Sequence, residues 1–129
     1  MRLLLDTHIF LWYVGGDRRL DGKLRKSIED ADAVYLSVVS VWEATIKYSI
    51  GKLLLPEPPH PWLSEQRELH RIESLPIDEA SVAHLPKLEP HHRDPFDRIL
   101  ICQALERDLQ LVTVDPVLSK YPAKILSPV

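Results

Sequence analysis

An α/β fold with a parallel sheet covered on both sides is what this sequence predicts, and three observations carry that reading. Strand-like and helix-like segments alternate along the chain. The strand candidates are short apolar runs such as Leu3-Leu4-Leu5, the pattern of strands buried on both faces. The helix candidates carry capping and stop residues where helices need them.

Arg2-Leu3-Leu4-Leu5 reads as the first strand and ends at Asp6. His8 to Val14 reads as a short apolar helix stopped by Gly15-Gly16. Asp21 is a plausible N-cap for a second helix, with Leu24, Ile28 and Ala31 on one face at i, i+4 and i+7. Ala33 to Ser37 is rich in β-formers. Ser40 to Ile50 reads as a helix, with Ser40 as N-cap and Gly51 as its stop. The proline-rich stretch from Pro56 to Pro61 reads as a stiff extended loop. Trp62 to His70 is the next helix, with Trp62 and Leu69 as its apolar anchors. Ile72 to Leu75 fits a short strand ended by Pro76, and Asp78 caps a helix running to Leu85. Asp94-Pro95 is the strongest helix start in the chain, a cap followed by proline at the first helical position. That helix continues to about Asp108. Leu109 to Val114 and Lys124 to Leu126 are the last strand candidates.

Composition bounds the function. The 129 residues amount to one domain, 1–129, with 45 % hydrophobic and 27 % charged residues, which argues against disorder and coiled coil. No apolar run approaches the roughly 18 residues that span a bilayer, and Asp6 follows the first apolar run too soon for a secretory signal. A cytoplasmic protein is therefore expected. One cysteine, Cys102, excludes an intramolecular disulfide framework and a cysteine-based zinc site; inside an apolar helix it reads as a small buried hydrophobe. The net charge of −3 does not point to nucleic acid, so such a role would need a local basic patch or a bound cation.

Four acids stand at informative places. Asp6 and Asp115 follow strand candidates at their carboxyl ends, where open parallel sheets bind ligands. Glu43 and Asp97 fall in the first turns of helices that start at the same edge. If the topology gathers them, repulsion becomes a problem: two carboxylates about 5 Å apart repel by roughly 3 kcal/mol at an effective dielectric of 20. Protonation or a divalent cation relieves it. An all-oxygen cluster favours Mg²⁺ or Mn²⁺ over zinc, and such ions serve phosphodiester hydrolysis. The competing reading is local. Ser40-Val41-Trp42-Glu43 has the form of a capping box, Asp94 and Asp97 have similar spacing, Asp115-Pro116 is a cap-and-proline pair, and Asp6 can cap the helix after it.

Four segments in order then resemble the motifs of PIN-domain ribonucleases: Leu3 to His8, Ser37 to Glu43, His92 to Leu100, and Leu111 to Asp115. Order, spacing and length resemble the single-domain toxins of the VapC type, the toxin halves of type II toxin–antitoxin pairs. The resemblance implies a three-layer α/β/α sandwich with a mostly parallel sheet. It implies a Mg²⁺- or Mn²⁺-dependent endoribonuclease in which Asp6, Glu43, Asp97 and Asp115 form the catalytic and metal-binding site. It also implies an RNA substrate, a homodimer and an antitoxin whose segment fills a groove near the site, for which Trp12 and Trp62 are candidates. Asp94 reads as the helix cap with an outer-shell contact. Val114 stands where the family often has a polar residue.

Thr7 and Thr113 are candidates to orient carboxylates, against ordinary strand-end bonding. Lys23, Arg25 and Lys26, with Arg18 and Arg19, form the densest basic cluster, and Arg98 flanks the third motif. These are candidate RNA contacts, against a solvated helix face; Arg98 can instead pair with a carboxylate. Trp42, Ile46 and Ile50 read as core, and His91-His92 as a solvent-facing loop pair. Two other functions remain open on these residues. One is a Mg²⁺-dependent phosphatase or phosphotransferase with Asp6 as nucleophile, although position 8 holds histidine where such enzymes place a second acid. The other is a non-enzymatic partner-binding domain whose acids are only caps.

Overall fold

The computed structural model describes residues 1–127. Five strands form one parallel sheet: β1 (Arg2–Leu5), β2 (Ala33–Ser37), β3 (Glu73–Leu75), β4 (Gln110–Val112) and β5 (Ile125–Leu126), in the order β3-β2-β1-β4-β5. Parallel strands need crossovers, and the helices supply them: α1 (Thr7–Gly15), α2 (Gly22–Asp30), α3 (Val38–Ser49), α4 (Pro59–Leu69), α5 (Glu79–Val82) and α6 (Pro95–Arg107). The result is the three-layer α/β/α sandwich, with a sheet that is wholly parallel.

The central strand shows why the layers form. Leu3, Leu4 and Leu5 are fully buried, and alternate side chains leave opposite faces. Leu3 and Leu5 join a core built on α1, α2 and α4, with Phe10, Leu24, Ile28 and Leu63. Leu4 joins a second core on α6, with Leu100, Ile101, Ala104 and Leu111. A run without alternation is thus the sequence record of a strand covered twice. Among the described residues no helix is long and apolar enough to cross a membrane.

Several local expectations need correction. α3 starts three residues early, because the Ser37 hydroxyl caps it by accepting from the Val39 N–H at 3.0 Å. Ser40 is therefore inside the helix, buried, with no hydrogen-bond partner for its hydroxyl. Glu43 sits in the second turn, so the capping-box reading of that acid fails. Trp42, Ile46 and Ile50 are exposed rather than core; with Val38 they make a stripe at four-residue spacing along the outer side of α3. The inward side is taken by Val39, Glu43 and Ala44. Leu69 is exposed, and Leu63 anchors α4 beside Trp62. A helical turn already begins at Pro59 within the proline-rich stretch, broken at His60. The helix after Asp78 ends at Val82 and is followed by a 3₁₀ turn at Leu85–Lys87. Cys102 is free and buried, as its apolar setting implied.

The chain runs β1, β2, β3 outward on one side, then returns to place β4 on the other side of β1. That reversal opens a crevice beyond the carboxyl ends of β1 and β4. α3 leaves β2 at this edge. α6 leads into β4 and so starts at the same edge.

Candidate functional site

The edge holds a cleft of about 250 Å³ lined by Asp6, Glu43, Asp94, Asp97 and Asp115, with Thr7, Lys47 and His92 among them. All four acids singled out in the sequence are brought together there, and Asp94 with them. Four of the five are aimed by hydrogen-bond donors. Asp6 accepts from the Ile9 N–H at 2.8 Å and from the Thr113 hydroxyl at 2.6 Å. Glu43 accepts from the Thr7 hydroxyl at 2.6 Å and from the Lys47 ammonium. Asp94 caps α6 through the Phe96 N–H at 2.9 Å. Asp115 accepts from the Val117 N–H at 3.0 Å and from His92 at 2.8 Å. Asp97, one turn into α6, lies 3.3 Å from the same His92 nitrogen.

Capping a turn and lining the cleft therefore coincide instead of competing. Asp6, Asp94 and Asp115 cap helical turns and still line the cleft. The two threonines do more than close turns: both hydroxyls donate to acids, and both residues are buried. The Thr113 oxygen also accepts from the Asp115 N–H at 3.1 Å, linking two of the acids through one side chain.

Two further residues of the cleft were not among the site candidates read from the sequence. Lys47 follows Glu43 by four residues, a helical ion-pair spacing that could have found it. His92, expected to face solvent, turns into the cleft, and no periodic pattern marks it.

The electrostatics follow from crowding. Burial pushes the Asp97 carboxyl up to about 7, and the charges of Asp94 and Glu43 add to it while His92 opposes it. Burial also raises Asp6, against the Thr113 and Ile9 hydrogen bonds. Burial works against the Lys47 charge, but the Glu43 carboxylate outweighs it and holds the ammonium above its ordinary range. Five carboxylates around one ammonium are short of positive charge. Hard oxygen donors, already oriented, suit a divalent cation such as Mg²⁺ or Mn²⁺. His92, Asp97 and Asp115 also present one nitrogen and two oxygens within 4.8 Å of one another.

The basic candidates lie elsewhere; none lines the cleft. Arg25 donates to the Tyr13 carbonyl at 3.2 Å and lies over the Tyr13 ring, so it closes the end of α1. Lys26 pairs with Asp30 on the same helix, and Lys23 is exposed. Arg98 donates to the Leu88 carbonyl at 3.3 Å and leaves its Nε buried without a partner. Beside the cleft, an apolar groove of about 250 Å³ joins Leu11 and Trp12 of α1 to Leu53, Leu55 and Trp62, with His8 lining both.

Residues 3–124 match the family model described as PIN domain. The chain is similar to Ribonuclease VapC22 of Mycobacterium tuberculosis, 30 % identical over 114 residues that span 88 % of this chain and 86 % of that one. Its fold resembles that of VapBC2 from Rickettsia felis, solved with a promoter DNA fragment, at a TM-score of 0.73 and 13 % identity over 98 % of both chains. It also resembles DNA-bound VapBC from Salmonella typhimurium, at a TM-score of 0.71 and 18 % identity over 98 % of both chains.

Proposed function

Because the chain belongs to the PIN-domain family and is a VapC-like member of it, we propose that it is a metal-dependent endoribonuclease, the toxin of a toxin–antitoxin pair. The observation that carries this reading is the cleft itself: Asp6, Glu43, Asp97 and Asp115 gathered at the sheet edge, with Asp6, Glu43 and Asp115 held by hydrogen bonds. In this reading those four acids hold Mg²⁺ or Mn²⁺, with Asp94, Thr7 and Thr113 supporting them from behind. A bound ion would supply charge neutralisation and Lewis acidity toward a phosphodiester.

The protein's own residues do the rest. Thr113 and the Ile9 N–H keep both Asp6 oxygens aimed. Thr7 and Lys47 do the same for Glu43. Lys47 stands in the cleft as the one ammonium and is placed to meet a phosphate oxygen of the substrate. RNA would enter across the open side of the cleft. Lys23 and Lys26 can add phosphate attraction from outside it, whereas Arg25 and Arg98 are committed to backbone carbonyls.

The groove of Trp12, Leu53, Leu55 and Trp62 is where we place the antitoxin segment. It is apolar, it adjoins the cleft, and His8 is common to both. The α3 stripe is where we place a second copy of the chain. A two-fold contact needs a patch that complements itself, and an apolar row does so where a charged row would repel. From Val38 to Ile50 the row runs about 18 Å at 1.5 Å per residue. Trp42→Glu is expected to leave a monomer in light scattering while the fold is retained; an unchanged dimer would move the contact elsewhere.

The decisive experiment is cleavage of a single-stranded RNA. Cleavage lost in chelator and restored by Mg²⁺ or Mn²⁺ is the expected outcome; cleavage indifferent to chelator overturns the proposal. A phosphorylated Asp6 would turn the reading toward a phosphotransferase. The geometry speaks against that, because both Asp6 oxygens are engaged and position 8 is a histidine.

A further inference from the structure

His92, Asp97 and Asp115 look at first like a mixed nitrogen–oxygen metal site. The hydrogen bonds of the imidazole argue otherwise. Its Nδ1 accepts from the Asp94 backbone N–H at 3.0 Å. A ring nitrogen that accepts carries a lone pair, so in the neutral ring the proton is on Nε2. That Nε2–H points at Asp115, 2.8 Å away, with Asp97 at 3.3 Å. A metal needs a lone pair at the nitrogen that binds it. To bind through Nε2 the ring would have to move its proton to Nδ1, leaving two N–H groups face to face at the Asp94 backbone.

The surroundings hold the ring in this setting. The His92 backbone N–H donates to the Tyr121 hydroxyl at 2.9 Å, which pins the loop to the 3₁₀ turn (Pro116–Lys120) that Asp115 caps. The Asp94 N–H is fixed by the start of α6, since Asp94 is the cap. The tautomer is thus set by the helix start that also presents Asp97.

We infer that His92 is a positioning residue and not a metal ligand: a fixed donor that holds Asp115 after β4 in place beside Asp97 of α6, and leaves the centre all-oxygen. The inference rests on the reading of the cleft as a cation site. Its consequence is selectivity. An all-oxygen centre prefers Mg²⁺ or Mn²⁺, whereas a ligating imidazole would open the site to zinc-like ions. Loss of an outer-shell partner of this kind typically weakens a metal site 10- to 100-fold.

The test uses the full chain and two spectroscopies. ¹⁵N NMR of the metal-free protein should show His92 as the Nε2–H tautomer; an Nδ1–H ring overturns the inference. With Mn²⁺ as the probe, electron spin echo should detect no coupling to an imidazole nitrogen; a coupling that disappears in His92→Ala overturns it as well. His92→Ala should bind Mn²⁺ about 10- to 100-fold more weakly. His92→Gln, whose amide can donate from the Nε2 position, should recover most of that loss; equal weakening in both variants counts against positioning. Failure of the unaltered chain to bind Mn²⁺ would defeat the cation-site reading, and the NMR tautomer would still decide whether His92 is a donor.

Discussion

Replacing Asp97 by asparagine is expected to stabilise the metal-free protein and to remove most of the metal-dependent RNA cleavage proposed above. The carboxyl is pushed up to about 7 from an ordinary 3.8, by burial first and by Asp94 and Glu43 next. Between these values the folded chain keeps a proton that the unfolded chain has released. Stability therefore falls as pH rises from about 4 to about 7, and the full cost is present above that window. Three pKa units correspond to about 4 kcal/mol. A carboxyl that keeps a fifth of its side chain exposed is screened, which brings the expectation nearer 2 kcal/mol. Asparagine never carries the charge. In chelator, the urea midpoint of Asp97→Asn should exceed that of the parent at pH 8 and match it near pH 4. A lower midpoint at pH 8 would contradict the crowding argument. Cleavage should fall by roughly a thousandfold, about 4 kcal/mol of transition-state stabilisation.

Asp6→Asn should cost as much activity, again roughly a thousandfold, with the fold unharmed. Asparagine keeps an oxygen for the Ile9 N–H and so keeps the α1 cap. Its amide meets the Thr113 hydroxyl, which can turn to accept. Asp6→Ala separates the two roles: it loses activity equally and also the cap, for about 1 kcal/mol of stability. Parallel melting curves and RNA cleavage assays on both variants check this. Full cleavage by Asp6→Asn would remove Asp6 from the site, and equal melting of both variants would remove it from the cap.

The fold was legible because its signals are local. Leu3-Leu4-Leu5 can be buried on both sides only as an inner strand, and Asp94-Pro95 can hardly be anything but a helix start. α3 was misread where two signals competed. Ser37 and Ser40 can both cap, and only the strand that ends at Ser37 decides between them. The apolar spacing of Trp42, Ile46 and Ile50 was visible, but periodicity identifies a stripe without saying which way it faces. Glu43 and Val39 own the inward side, so the stripe turns out.

The acids of the site were legible for a different reason: each ends a strand or opens a helix, and a parallel sheet gathers such positions at one edge. Their donors were harder. Lys47 repeats at helical spacing from Glu43, but Thr7 bonds an acid 36 residues away and Thr113 one 107 residues away. His92 meets Asp115 across 23 residues of loop and helix. No short window holds such pairs.

The place of β1 at the centre of the sheet has a consequence for assembly. β1 is flanked by β2 and by β4, and the Asp6 N–H donates to the Val112 carbonyl at 3.1 Å. Thr113 and Asp115 follow β4 directly. Until β4 pairs with β1, Asp6 keeps its Ile9 bond but lacks the Thr113 hydroxyl, and Asp115 is missing from the cleft. Completing the cleft is therefore tied to the closure of the sheet between segments some hundred residues apart, and cannot precede it.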